Sequence, residues 1–235
     1  MNEVHCFGPG DIVDWNRTTE NRAHVASRWK ALYSAGMNIG GCPLSDFSSR
    51  MIVRYCKQGS RLLDAGCGTG RSMRHLLAMP ELRENAIEVM GLDFCMDALL
   101  SHNDSIIRIC GDMLNMPFIP GCFDIVTSRQ VLDGYSAREI SLFSASCLSV
   151  LREGGILIID ARGPFDTRAR SAAFGKEDTE GHRSSYFSRP ELIEFFAPFS
   201  AVDWEEDFRC RKTPSGKRLI THNISLLFRK GKVQH

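Results

Sequence analysis

The chain has 235 residues, of which 43% are hydrophobic and 24% charged. Those fractions exclude a disordered or collagen-like chain, and the length suits one domain with at most an appendage. With 29 Lys and Arg against 28 Asp and Glu, the net charge of +1 argues against binding nucleic acid through overall charge.

Nine cysteines are scattered without a C-x-x-C pair, and no secretory leader pattern precedes them. Reduced, mostly buried thiols and a cytoplasmic setting are expected. No metal-ligand spacing occurs, and no apolar run approaches the roughly 18 residues a membrane span needs.

Residues 1–58 read as a helical, peripheral lid. An amphipathic helix is expected over Asp14–Ser34, carrying Trp15, Trp29 and Tyr33. A second should open at Pro43, hold Phe47, Met51 and Ile52, and end at Gly59. From 59 onward strands and helices alternate. Arg61–Ala65, Ala86–Phe94, Ile106–Cys110, Cys122–Ser128 and Ile156–Asp160 read as strands. Helices should fill Arg71–Ala78, Asp97–Ser101 and Ser136–Leu151, the last opened by a capping box, Ser136 with Glu139. Near-continuous Ile, Leu and Val strands separated by helices imply a parallel sheet covered on both faces.

Residues 163–187 are polar, show no clear period, and read as an insertion over the C-terminal edge of the sheet. Ser188 and Glu191 form a second capping box. Val202–Cys210 and Leu219–Phe228 then read as a hairpin around Thr213-Pro214-Ser215-Gly216-Lys217.

The strongest signal is Asp64-Ala65-Gly66-Cys67-Gly68-Thr69-Gly70, between a strand and a helix. Its G-x-G-x-G spacing is not the G-x-G-x-x-G of dinucleotide binders, because Arg71 stands where a third glycine would, and it lacks the Gly-Lys-Ser/Thr of a P-loop. Asp64 beside the loop would repel a phosphate and suit a cation. Asp93 ends the next strand, where an acid suits ribose hydroxyls. Asp112 follows the third. Three acids thus gather at one sheet edge.

These segments resemble the class I S-adenosylmethionine-dependent methyltransferases. The glycine loop, Gly91-Leu92-Asp93-Phe94, Gly111-Asp112-Met113, Phe123-Asp124-Ile125-Val126-Thr127-Ser128 and Leu151-Arg152-Glu153-Gly154-Gly155 are each similar to that family's motifs. The resemblance implies a Rossmann-like α/β fold, with a seven-stranded, mostly parallel sheet whose last strand is antiparallel. It implies that Gly66, Cys67, Gly68 and Gly70 pass under the methionine part of S-adenosylmethionine, and that Asp64 holds its ammonium. Asp93 would hold the ribose, with Phe94 or Met96 against the adenine. Asp112 would accept from the adenine amino group and Met113 would pack on the ring. Ser128 and Arg129 would face the reacting methyl or the acceptor.

The acceptor is less legible. If it needs a general base, Asp133, Tyr135 and His182 are the candidates. Transfer to N or O of a small molecule is the leading expectation. RNA, most plausibly tRNA, is the alternative, gripped by the basic segment 208–235 with its eight Lys and Arg and no acid. A non-catalytic cofactor-binding regulator or scaffold is a third reading, and a nicotinamide enzyme a fourth. There is no Pro-Cys dipeptide for a covalent cysteine mechanism and no Asn/Asp-Pro-Pro-Tyr/Phe motif.

Overall fold

A computed structural model describes residues 12–14, 29–31, 33, 45–101, 106–132, 135–170, 186–213, 216 and 218–231. Its strands are β1 (Ile12–Asp14), β2 (Arg61–Ala65), β3 (Glu88–Asp93), β4 (Ile107–Cys110), β5 (Phe123–Arg129), β6 (Leu151–Arg162), β7 (Ser200–Lys212) and β8 (Arg218–Arg229). They form one sheet in the order β1-β4-β3-β2-β5-β6-β8-β7. β2 to β6 run parallel, and β8 is antiparallel to both β6 and β7.

All seven expected strands are present, with the antiparallel strand in its expected place. Two expectations change. β1 is an eighth strand, pairing Ile12–Asp14 beside β4, so Asp14 lies in a strand and not in a helix. Two β-branched residues next to an open sheet edge favour extension over a helix that polar neighbours would start. β6 also begins at Leu151 and runs through Gly154 and Gly155. A register shift between Phe123 and Ile125 absorbs the glycines, so they bulge the strand where the sequence suggested a stop.

Helices α1 (Asp46–Tyr55), α2 (Arg71–Ala78), α3 (Pro80–Glu84) and α4 (Met96–Leu99) cover one face. There Phe47, Ile52, Met73, Leu76, Leu82 and Leu99 meet Leu62, Ile125, Ile156 and Ile158. Helices α5 (Ala137–Val150) and α6 (Arg189–Phe195) belong to the other face. Their Ile140, Phe143, Cys147 and Leu192 meet Leu63, Val126, Leu157 and Ile159. Alternation along each strand feeds both layers.

The helix ends follow their caps. Ser45, not Pro43, caps α1, accepting from Ser48 N at 3.0 Å; Pro43 lies outside the described residues. Both expected capping boxes form, with Glu139 and Glu191 accepting from Ser136 N and Ser188 N at 2.8 and 2.7 Å. Lys230 Nζ donates to Leu148 O and Leu151 O, each at 2.7 Å, and closes the C-terminal end of α5.

The insertion is described at its two roots. Gly163 N bonds His222 O at 2.8 Å and Phe187 N bonds Arg162 O at 3.0 Å. Residues 171–185 lie outside the described residues. Among the described residues no helix is long and apolar enough to cross a membrane, and no cluster of His, Cys, Asp and Glu is arranged to hold a metal.

Candidate active site

Strand order reverses at β2, whose neighbours are β3 and β5. The crevice outside that reversal is where open α/β sheets bind ligands, and the glycine loop lies there. Gly66 and Gly68 have φ of 80° and 52°, the left-handed region that a Cβ disfavours. Close approach adds a second reason for glycine. A Cβ on Gly66 would lie 2.5 Å from Val131 Cγ2, and one on Gly68 would lie 2.8 Å from the Tyr33 hydroxyl.

The loop is tied to the end of β3. Gly66 N and Cys67 N bond Leu92 O at 2.7 and 3.1 Å. Gly68 N donates to Asp93 Oδ2 at 2.8 Å, and Cys95 N donates to Asp93 Oδ1 at 2.9 Å. Asp93 thus sets the loop's height above the sheet. Burial pushes its carboxyl above the usual carboxylate range, while these amide donors pull the other way. Cys67 is buried under the loop, and its thiol is held well above its ordinary value by burial and then by Asp93 and Asp64. That makes it a packing residue and not a nucleophile.

Asp64, 2% exposed, lies on the face of β2 that Leu62 shares, the α1 side of the sheet. Burial raises its carboxyl to about 7, Arg129 lowers it, and Asp93 and Asp160 raise it. Arg129 Nε lies 3.6 Å from Asp160 Oδ2 on the neighbouring strand. Asp160 Oδ1 in turn accepts from Ser48 Oγ at 2.8 Å and Ser45 Oγ at 3.1 Å. Ser225 Oγ donates to Ser45 at 3.1 Å. The N-terminal turn of α1 is thereby fastened to the sheet edge beside the loop, with one guanidinium between two carboxyl groups.

The other sequence-predicted residues divide. Asp112 caps the 3-10 turn Met113–Asn115, its Oδ1 accepting from Leu114 N at 2.9 Å. Met113, at 3% exposed, is buried in the α5-side core. Met96 packs at the margin of the α1-side core, and Phe94 is partly exposed beside it. Ser128 is 1% exposed and lies on the sheet face opposite Arg129, so these two neighbours do not share a surface. Tyr135 is buried at 6% and lies in the α5-side core. Asp133, His182, Trp15 and residues 16–28 of the expected first helix lie outside the described residues. Trp29 and Tyr33 are described: they stack at 6.0 Å, and the Tyr33 hydroxyl reaches the glycine loop, where burial and Asp93 raise its pKa.

Comparison with known proteins bears on this edge of the sheet. A family model described as a methyltransferase domain matches residues 63–159, from β2 through most of β6. Over those residues the chain carries a methyltransferase domain, in a fold of the class I S-adenosylmethionine-dependent kind. It is 24% identical over 163 residues to the malonyl-[acyl-carrier protein] O-methyltransferase of Dechloromonas aromatica, covering 68% of this chain and 60% of that one. It is 27% identical over 113 residues to a Mus musculus protein named probable tRNA methyltransferase 9B, covering 47% and 23%. The chain spans three fifths or less of the curated relatives it matches. In fold it is similar to the 1,6-didemethyltoxoflavin-N1-methyltransferase of Burkholderia thailandensis (TM-score 0.64, 18% identity, 91% and 90% coverage).

The methyltransferase domain fits its cofactor. The loop presents a cradle of bare backbone, where a Cβ at 66 would run into Val131 and one at 68 into the Tyr33 hydroxyl, and the side chains beside it are acidic, as a sulfonium and an ammonium require. Two residues that sequence reasoning passed over belong to the same edge. Asp160 ends an Ile-Leu-Ile-Ile run, the same strand-then-acid signal that flagged Asp93. Ser45 was not singled out, since the helix was expected to open at Pro43, and its link to Asp160 spans 115 positions that no local pattern reveals.

Proposed function

We propose that the protein transfers a methyl group from S-adenosylmethionine to N or O of a small-molecule acceptor in the cytoplasm. The observation that carries this reading is the glycine cradle with Asp64 and Asp93 at the strand-order reversal. The bound cofactor supplies an electrophilic methyl on a sulfonium that is already a good leaving group. The chain's own part is to bind and align, and orientation supplies much of the rate. In this reading the carboxylate of Asp64 accepts from the ammonium, and Asp93 exchanges part of its hold on the loop for the ribose hydroxyls. Phe94, Met96, Asp112 and Met113 form the adenine end. Arg129, held by Asp160, faces the acceptor side, and Tyr33 closes over the loop to exclude water. The N-terminal segment and residues 163–187 serve as covers of one methyltransferase domain.

The small-molecule reading is favoured over RNA by how the basic segment is used. Arg209 Nε pairs with Asp207 at 2.6 Å, Arg229 lies over the Tyr55 ring at 5.4 Å, and Lys230 caps α5. Asp203, Glu205, Glu206 and Asp207 share the strand with Arg209 and Arg211, which weakens a phosphate-gripping field. The RNA reading keeps the hairpin end, Arg211, Lys212 and Arg218, and the name of the mouse relative. The cytoplasmic setting draws on six buried free thiols, at Cys56, Cys67, Cys95, Cys110, Cys122 and Cys147.

Calorimetric titration with S-adenosylmethionine and S-adenosylhomocysteine tests the cofactor half, with micromolar binding of both expected. A methyl-transfer screen over small amines, alcohols and carboxylic acids, then tRNA, tests the acceptor half. Transfer to tRNA, with affinity falling steeply as salt rises, would replace the small-molecule reading. Tight cofactor binding without transfer to any acceptor would favour a regulator.

A further inference from the structure

β7 is the outer strand of the sheet, 13 residues long, and among the described residues nothing pairs with its free edge. A long edge with unpaired amides and carbonyls invites another strand, and proteins usually blunt such an edge with scattered charges. Here the charges are sorted. The first half, Asp203, Glu205, Glu206 and Asp207, is acidic; the second half, Arg209, Arg211 and Lys212, is basic. Large apolar side chains are interleaved and open to solvent: Val202 at 45%, Trp204 at 50% and Phe208 at 55% exposed.

A strand with an acidic first half and a basic second half is complementary to itself when turned end for end. It is repulsive to itself in parallel. We propose that β7 is the seam of a symmetric dimer, pairing antiparallel with β7 of a second copy of this chain, with Phe208 on the two-fold axis.

That register places Asp207 opposite the partner's Arg209, and Glu205 opposite the partner's Arg211. Residues directly opposite in an antiparallel pair share a face, so these ion pairs lie on the face where Glu205 already meets Arg50 at 2.7 Å. Asp207 also pairs within its own strand with Arg209. Around the axis the two copies therefore make a closed ring of four alternating charges. On the opposite face the two Phe208 rings meet, and Trp204 stands opposite the partner's Lys212. Phe208 is held for this role: it stacks on buried His222 at 4.2 Å and 8°. His222 Nδ1 accepts from Phe165 N at 3.2 Å, so Nε2 carries the proton toward Glu206 Oε2 at 3.3 Å. Each copy offers the same patch, as a closed two-fold interface requires. The glycine cradle opens at the carboxyl ends of β2 and β3, four strand positions or more from this seam, so pairing leaves it accessible.

Sedimentation equilibrium of the full chain is the test, with protein concentration raised to about 100 µM. The wild type should move from one-copy to two-copy mass. Asp207→Arg makes the edge uniformly basic around the axis, and Arg209→Asp makes it acidic. Each alone should associate at least about tenfold more weakly than the wild type, from like charges set opposite. Mixed in equal amounts, the two variants should regain two-copy mass. Both sites are exposed, and circular dichroism checks that each variant is folded. A wild type that stays at one-copy mass overturns the proposal without any substitution. So does self-association of either variant at wild-type strength, or a mixture that stays at one-copy mass.

Discussion

The two edges of the sheet spend charge differently. At the carboxyl edge Asp64, Asp93, Arg129 and Asp160 are buried or nearly so, and Asp64 is held near neutrality by its surroundings. At the amino edge the charges are structural and wet: Arg152 Nε pairs with Asp124 Oδ1 at 2.6 Å with half of the Arg152 side chain exposed. Asp124 also accepts from Arg61 N at 2.8 Å. Burying charge is expensive unless it is paired, and nothing in the strand pattern requires it at either edge. The edge that buries it is the one with the ligand cradle, and the contrast marks the functional edge without any motif.

The largest break in this comparison comes from glycine. Gly68→Val puts a branched side chain at φ 52° and into the Tyr33 hydroxyl. Cofactor binding should fall below detection by calorimetry, at least about 100-fold. Gly154, at the amino edge, also has a positive φ of 71°, but a Cβ there meets nothing within 4 Å. Gly154→Ala should cost about 1 kcal/mol of stability in urea titration from backbone strain and leave affinity unchanged.

Removing one charged side chain from each edge comes next. Asp160→Ala removes one of the carboxyl groups beside Arg129 and the acceptor shared by Ser45 and Ser48, and should cost about 3 kcal/mol in chemical denaturation. Arg152→Ala breaks an exposed pair and should cost less than about 1 kcal/mol. Equal costs would mean that the buried network is no more coupled than a surface pair. Asp93→Ala is smaller again: it should weaken cofactor binding by about 1–3 kcal/mol, read by calorimetry, because the loop amide of Gly68 and the ribose both lose their acceptor.

The carboxyl edge was more legible in the sequence than its neighbours, for physical reasons. Glycines that must turn left-handed, and acids that end apolar strands, are local patterns. Gly66, Gly68, Asp64 and Asp93 therefore stood out, and so did five parallel strands and two capping boxes. The Arg129–Asp160–Ser48 link was not legible, because it joins a strand end to a helix cap 112 positions away. β1 was missed because a three-residue edge strand takes its stability from β4 and not from its own periodicity. The opposed faces of Ser128 and Arg129 were hidden until the strand's phase was known, since one residue of register exchanges the two faces.

The smallest effect is the most diagnostic. Burial lifts the Asp64 carboxyl from 3.8 to about 7 in the folded chain. Between those values the folded state holds a proton that the unfolded state has released. The ligand-free protein therefore loses stability as pH rises through that window, and is most stable toward its acid side as far as this group is concerned. A cationic ligand reverses the preference, because it favours the carboxylate. Affinity for S-adenosylmethionine should rise with pH below about 7, by at most about tenfold per unit, and level off above it. Calorimetry between pH 6 and 8, in buffers of different ionisation heat, should also register proton release on binding at the acid end. Asp64→Asn should flatten the profile while Arg152→Ala at the opposite edge leaves it intact. A profile that stays sloped without Asp64 would assign the proton to another group at this edge, and Asp93, whose carboxyl burial also raises, would be the next to replace.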